Sequence, residues 1–285
     1  MAELKRSKIG LALGSGGSRG LAHIGVIKVL EENNIPIDFI AGSSIGAMIG
    51  GFYAAGLDIK EIEEIALSIN WRRIFSILFD PHLKQGLIGG EKLKTFIKNY
   101  INGKKFEDCK IPFAAVATDL KTGEIVILNK GEMAQAIRAS ISIPLIFKSA
   151  KIESRMLADG GLSAPVPAEI ARGMGADIVI AVNLDKHYCD EECKPGWYDI
   201  ANDSLNILRH HLALSNVANA DIIIEINVGK NYWYQFTNAQ DKILAGEKAA
   251  KEVLPRLKEL IYQKSKGSLK KYLRFLRDKK LDKGQ

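Results

Sequence analysis

Cysteine is scarce in this sequence: Cys109, Cys189 and Cys193 are the three in 285 residues. An odd, sparse set excludes a disulfide framework and points to a reducing compartment. Long apolar runs are lacking too. A spanning helix needs about 18 consecutive apolar residues, and the nearest approach, Ile40 to Gly56, is interrupted by serine and glycine. Met1 to Lys8 is basic but leads only into a short apolar run before glycines begin, which does not match a secretory signal. Histidines number five, His23, His82, His187, His210 and His211, so imidazole chemistry has few places to sit. Most of the chain also lacks net charge. The formal +7 of the whole chain is matched by nine basic and two acidic residues between Lys264 and Gln285, which leaves residues 1–263 balanced. A neutral body excludes a protein built to coat nucleic acid and makes the basic character one local feature.

The rest is ordinary globular material, 47% hydrophobic and 26% charged. A chain of this length buries about three quarters of its unfolded surface and needs no staple of metal or disulfide. Ile9 to Leu13 predicts a buried strand, Gly14 to Gly20 a tight loop, and Leu21 to Asn33 a helix. Asp38 to Ala41 predicts a strand, and Ser44 to Ala55 and Leu57 to Ile69 predict helices. Trp71 to Gly90 is irregular and reads either as a lid or as an aromatic packing loop. A helix over Glu91 to Ile101 is followed by a hairpin of Pro112 to Thr118 with Glu124 to Leu128. Helices over Met133 to Ser140, Ala168 to Met174 and Trp197 to Asn219 alternate with strands over Ile178 to Leu184 and Ile222 to Ile226. A last helix from Ala239 to Lys264 is expected to break at Pro255. Strands alternating with helices predict a layered α/β fold with a largely parallel sheet, as one domain over 1–263 plus a tail over 264–285.

Three constellations carry chemistry. Gly42-Ser43-Ser44-Ile45-Gly46 is a G-x-S-x-G between a strand and a helix. A serine on so sharp a turn needs neighbours without side chains at Gly42 and Gly46, and the helix aims its N-terminal dipole at it. Ser43 is out of register, since position 41 is alanine. The alternative is a packing turn. Gly14-Ser-Gly-Gly-Ser-Arg-Gly20 fails both the dinucleotide and the P-loop pattern. It reads instead as a bed of backbone N–H donors for an oxyanion, with Arg19 adding charge, or as a ligand-free turn. Asp159-Gly160-Gly161 offers a carboxylate on a tight turn, or a plain Asx turn or N-cap. A Ser–acid–His order could be forced onto Ser44, Asp159 and His210 or His211, but those histidines fall within a predicted helix with no turn signal. The residues therefore favour a Ser–Asp dyad.

Gly-Gly-Ser-Arg-Gly-Leu-Ala-His-Ile-Gly-Val after the first strand, Gly-Ser-Ser-Ile-Gly, Ala-Ile-Arg-Ala-Ser-Ile-Ser-Ile-Pro144 and Asp-Gly-Gly together resemble the bacterial patatin-like phospholipases, from about Ile9 to about Leu184. The resemblance implies a patatin-type three-layer α/β/α fold and a lipid acyl hydrolase acting through an acyl-enzyme without a cofactor or metal. It gives Ser44 the nucleophile's place, Asp159 the general base's, and Gly16, Gly17 and Arg19 those of the oxyanion loop. Ser15 departs from the family's first glycine in that loop. The alternative from another class is a regulatory or scaffold protein that keeps the fold with little turnover.

Two features lie outside that resemblance. His187, Cys189 and Cys193 are three soft ligands without a fourth, so a solvent-facing loop is expected rather than zinc. His23, which lies inside the resemblance, is expected to pack or cap. In the tail, Leu269, Tyr272, Leu273 and Leu276 form an apolar stripe among cations, which reads either as an interfacial helix on anionic lipid or as a docked or frayed end. The expected partners are a phospholipid or lysophospholipid and an anionic membrane surface reached through 264–285, not nucleic acid; the expected location is cytoplasmic and at most peripheral.

Overall fold

The computed structural model describes residues 6–68, 90–185, 196–228 and 238–281, with side chains to residue 266 apart from 197–199 and 202. Its centre is an eight-stranded sheet. Strands β1 (Ile9–Leu13), β2 (Phe39–Ser43) and β3 (Phe113–Asp119) pair in parallel, and β7 (Ile178–Asn183) and β8 (Ile222–Glu225) extend the parallel part beyond β1. β4 (Ile125–Leu128), β5 (Ala150–Ile152) and β6 (Arg155–Asp159) add an antiparallel end on β3.

The short apolar runs become strands because both faces are covered, so β1, β2, β3 and β7 are buried along their whole length. Alternate residues of one strand feed opposite layers. Ile9, Leu11 and Leu13 of β1, with Ile178, Ile180 and Val182 of β7, pack under α1 (Ala22–Glu32), α2 (Ile45–Ala54) and α8 (Ala239–Leu281). Ala12, Val179 and Ala181 face α6 (Ala168–Gly173) and α7 (Trp197–Val217). That second face is lined with small residues, so α6 lies close: a Cβ on Gly10 would stand 3.4 Å from the Ala171 Cβ. Helices on both faces of a mostly parallel sheet make the three layers predicted from the sequence. The remaining helices are α3 (Ile59–Ser68), α4 (Glu91–Tyr100) and α5 (Met133–Ser140).

Helices α1 and α8 cross backbone to backbone. A Cβ on Gly25 would stand 2.0 Å from the Ile243 carbonyl oxygen, and one on Gly246 2.0 Å from that of Ala22. This anchoring corrects the expectation of a break at Pro255. α8 runs through the proline as one helix of 43 residues and crosses the expected 263/264 boundary. Leu257 is fully buried, and Val253, Leu254, Leu260 and Ile261 pack against the core on both sides of the proline. That packing outweighs the roughly 3 kcal/mol an interior proline costs. The β5–β6 hairpin ahead of Asp159 is an element that the sequence pattern did not signal. Its turn places Glu153 at φ 53° where a glycine or asparagine would have signalled it.

Several expectations fall outside the described residues: the Trp71–Gly90 stretch up to residue 89, the trio His187, Cys189 and Cys193, and the tail side chains Leu269, Tyr272, Leu273 and Leu276. Among the described residues no helix is long and apolar enough to cross a membrane, and no group of three or more His, Cys, Asp or Glu could hold a metal ion.

Candidate active site

The pairing register brings two chain-distant residues to one point. β3 uses one edge for two strands in succession: Val116 pairs with Ser43 of β2, and the next residue, Ala117, pairs with Asp159 of β6. β2 runs parallel to β3 and β6 antiparallel, so their C-terminal ends meet head to head on that edge. Ser44 and Asp159, 115 residues apart, thereby face each other, and Ser44 Oγ donates to Asp159 Oδ2 at 2.6 Å. No imidazole stands between them. His210 and His211 lie on α7, where His210 Nδ1 donates to the Asp185 carbonyl oxygen.

The glycines around Ser44 are required sterically. Ser44 has φ 55° and ψ −122°, a conformation rarely adopted by a residue with a side chain and costing about 1–3 kcal/mol. A Cβ on Gly42 would stand 2.5 Å from the Gly46 carbonyl oxygen, and one on Gly46 2.2 Å from that of Leu13. The same closeness seats α2 against the end of β1, where the Gly14–Gly20 loop begins. A Cβ on Gly20 would strike Ile45 at 2.2 Å, so the loop wraps the start of α2. The backbone N–H of Ser44 donates to Ser140 Oγ at 2.9 Å, and Ser140 Oγ donates to the Val116 carbonyl oxygen at 2.6 Å. The elbow is thus tied to α5 and β3 at once. Ser140 lies within the motif ending at Pro144, which the sequence singled out without assigning it a role.

Asp159 combines the two roles read as alternatives in the sequence. Its Oδ1 accepts from Gly161 N at 2.7 Å, capping the short 3-10 turn Gly160–Leu162, while Oδ2 holds Ser44. The backbone is fixed from both sides, with Asp159 N donating to the Ser142 carbonyl oxygen at 2.9 Å and Thr118 Oγ1 donating to that of Asp159 at 2.8 Å. Burial raises the Asp159 pKa to about 6, against the opposing pull of the Ser44 and Gly161 hydrogen bonds and the charge of Arg209. Gly160 is needed because a Cβ there would meet the Val116 carbonyl oxygen at 2.3 Å and Ser43 Oγ at 2.7 Å. Ser43 Oγ itself is buried without a hydrogen-bond partner among the described residues.

In the glycine loop, Gly14 N donates to the Val182 carbonyl oxygen at 3.1 Å and Ser15 N to that of Pro165 at 2.8 Å. The N–H groups of Gly16 and Gly17 have no acceptor among the described residues. Gly17 sits at φ 56°. Arg19, expected to lend positive charge to the loop, is buried; its Nε donates to the Gly16 carbonyl oxygen at 3.2 Å and its guanidinium pairs with Asp185 at 3.4 Å. His23 is fully buried beneath the loop, where its Nε2–H donates to the Gly14 carbonyl oxygen at 2.8 Å. Burial lowers its pKa to about 4, so it is neutral and structural.

Asp185 and Arg209 escaped the sequence reading. Asp185 lies two residues past the end of β7, and the region just past the carboxyl ends of parallel strands is where open α/β sheets place their ligands. Position was the one signal available. Arg209 is one of several polar residues on α7, with nothing local to distinguish it.

Comparison with known proteins agrees with this architecture. An uncharacterised NTE family protein of Mycobacterium bovis is 42% identical over 179 residues, covering 62% of this chain and 49% of that protein. The human patatin-like phospholipase domain-containing protein 6 is 32% identical over 191 residues, covering 64% of this chain and 14% of its own length. The chain thus matches about half the length of its mycobacterial relative, at 49%. Among solved structures, VipD from Legionella pneumophila superposes with a TM-score of 0.62 at 14% identity, covering 88% of this chain and 67% of that one, a likeness of fold. The family model described as patatin-like phospholipase matches residues 11–172, more than half of the sequence, and the chain belongs to that family.

Proposed function

We propose that the chain is a serine acyl hydrolase acting on the ester bonds of phospholipids or lysophospholipids, with Ser44 as nucleophile and Asp159 as general base. The observation that carries this reading is the 2.6 Å hydrogen bond between Ser44 Oγ, on a strained strand-to-helix turn, and the buried Asp159 carboxylate. As Oγ attacks the ester carbonyl carbon, its proton passes to Asp159 Oδ2. The charge on the tetrahedral oxygen develops beside the N–H groups of Gly16 and Gly17, with the N-terminus of α2 behind Ser44 adding its dipole. Collapse breaks the ester C–O bond, and the leaving alkoxide takes the proton back from Asp159. Water then attacks the acyl-enzyme with Asp159 again as base, which releases the fatty acid and restores Ser44. A carboxylate with a pKa of about 6 is ionised at neutral pH yet basic enough to accept the proton.

Ser44→Ala tests the reading. It is expected to abolish both hydrolysis of a p-nitrophenyl acyl ester and labelling by a fluorophosphonate probe; full labelling of the variant discards Ser44 as nucleophile. Family membership and the lipid-related names of relatives support a lipid ester over other acyl compounds. On the same reading residues 1–263 are the hydrolase body and the basic segment 264–285 brings it to anionic lipid. Lys264 already serves the body, pairing with Asp221 at 3.3 Å, so the lipid-facing part begins after it. Deleting 265–285 is expected to lower sedimentation with anionic vesicles while sparing a soluble ester, and unchanged sedimentation removes the tail from the proposal.

A further inference from the structure

The glycine loop has a weakness that its chemistry would not tolerate. Gly16 and Gly17 lack side chains to hold them, and glycine gives up more conformational freedom on ordering than any other residue. Donors aimed at an oxyanion must nonetheless be set before the reaction begins. Something outside the two glycines has to hold them.

The structure supplies one carboxylate that grips the loop on both sides of them. Ser15 Oγ donates to Asp185 Oδ2 at 3.1 Å, and the Arg19 guanidinium reaches Asp185 Oδ1 at 3.4 Å. Gly16, Gly17 and Ser18 are the residues enclosed. Arg19 adds a second tie inside the staple through its Nε bond to the Gly16 carbonyl oxygen. Asp185 is fixed in turn. Its N–H donates to Asn183 Oδ1 at 3.0 Å, and Arg209 Nε, from α7, donates to its Oδ1 at 2.8 Å. Its side chain is 2% exposed, so these are bonds within a dry site, where they are strongest. Ser15 is also wedged toward Asp159: a Cβ on Gly161 would stand 3.1 Å from the Ser15 Cβ and 2.9 Å from Asp159 Oδ1. The serine that departs from the family's glycine run thus has a partner, and that partner sits 170 residues away.

We propose that Asp185 is a positioning residue, holding the Gly16–Gly17 N–H groups ready for the oxyanion through Ser15 and Arg19. This rests on the hydrolase reading above. Asp185 touches no reacting atom; its effect passes through the loop, and the hydroxyl of Ser15 is the arm of the staple that can be removed with least damage.

The test is a double-mutant cycle in the full chain, with Ser15→Ala and Asp185→Asn made singly and together, and kcat and KM read on a p-nitrophenyl acyl ester. Asp185→Asn is expected to lower kcat about tenfold to a hundredfold, the upper end being the loss a 1 Å misplacement produces. Ser15→Ala is expected to lower it about fivefold, the worth of one net hydrogen bond. KM stays within about twofold in both, because the donors act on the transition state rather than on substrate binding. The double variant should be slower than Asp185→Asn by clearly less than the fivefold of Ser15→Ala alone, since the amide has one acceptor oxygen for the arginines and the hydroxyl that the carboxylate served with two. Affinity for an acyl trifluoromethyl ketone, whose adduct with serine places an oxyanion in the same loop, should fall in parallel with kcat, a correlation that a general loss of stability does not produce. Additive effects, or a raised KM at unchanged kcat, overturn the assignment. Should Asp185→Asn not fold, Ser15→Ala decides alone: wild-type kcat and ketone affinity in a variant with a native melting temperature overturn it. A wild-type protein that neither turns over ester nor labels at Ser44 sinks the hydrolase reading and the inference together, whereas an active wild type with Asp185→Asn equally active sinks the inference only.

Discussion

Two buried carboxylates stand beside the same loop, one at the end of β6 and one just past β7, and they are built in opposite ways. Asp159 is held by neutral donors, the Ser44 hydroxyl and the Gly161 N–H. Asp185 is held by two guanidinium groups and a hydroxyl. Burial without a bonded cation leaves Asp159 with a raised pKa of about 6, whereas Asp185 has its countercharges at contact. On the proposed reading, the same side chain at similar burial is tuned to exchange a proton in one place and fastened to hold a shape in the other, and the difference lies in whether its partners carry charge. The two are not independent, because the Asp185 charge raises the Asp159 pKa and that of Arg209 lowers it.

Replacing each acid by its amide breaks the comparison most sharply. Asp159→Asn is expected to reduce turnover of a p-nitrophenyl ester by about 10²–10⁴-fold, the range a general base contributes. Its effect on stability should run the other way. The folded pKa of Asp159, about 6, lies above its ordinary 3.8. Its contribution therefore favours folding below that ordinary value and is lost as pH rises through the folded one. At neutral pH the buried charge opposes folding by up to about 3 kcal/mol. Asp159→Asn should then raise the melting temperature above pH 6 and lose that advantage below pH 4. Asp185→Asn should lower the melting temperature at neutral pH, because it takes the carboxylate from buried Arg19 and from partly exposed Arg209; breaking a buried pair costs about 3–5 kcal/mol and a partly exposed one less. Thermal unfolding of both variants between pH 4 and pH 8 checks the signs, and a shift in the same direction for both at pH 7.5 erases the distinction drawn here.

The difference between the two acids also explains what could be read from the sequence. Gly42-Ser43-Ser44-Ile45-Gly46 is a local pattern whose constraints are all steric and all within five residues, so its context of strand and helix was legible. The layers followed from short apolar runs alternating with helical ones. The meeting of Ser44 with Asp159 depends on β2 and β6 sharing one edge of β3, and β5–β6 is a hairpin of short strands with a weak turn signal. The residues alone therefore suggested that pairing, by elimination of the histidines, and the family resemblance supplied the rest. Asp185 had neither aid. Its partners Ser15 and Arg19 lie 170 and 166 residues away, and no periodicity or motif spans such a gap. Pro255 shows the opposite failure, a strong local rule overridden by packing on both sides of it.

The smallest expected effect separates the charges of the cluster from its bonds. Arg209 lowers the Asp159 pKa, so removing its cation in Arg209→Gln should raise it. The same substitution frees Asp185 from one countercharge, and the Asp185 carboxylate pushes the Asp159 pKa in the same upward direction. Both consequences move the acid limb of kcat/KM, expected near pH 6 in the wild type, upward by a fraction of a pH unit. At pH 8, where Asp159 is ionised in either protein, this electrostatic difference vanishes, and any remaining loss of kcat reports slack in the loop that Arg209 helps to hold through Asp185. A pH–rate profile on a soluble ester thus reads two numbers from one variant. An acid limb that does not move would show that the charge of Arg209 does not reach Asp159, and the two carboxylates would then have to be treated as separate sites.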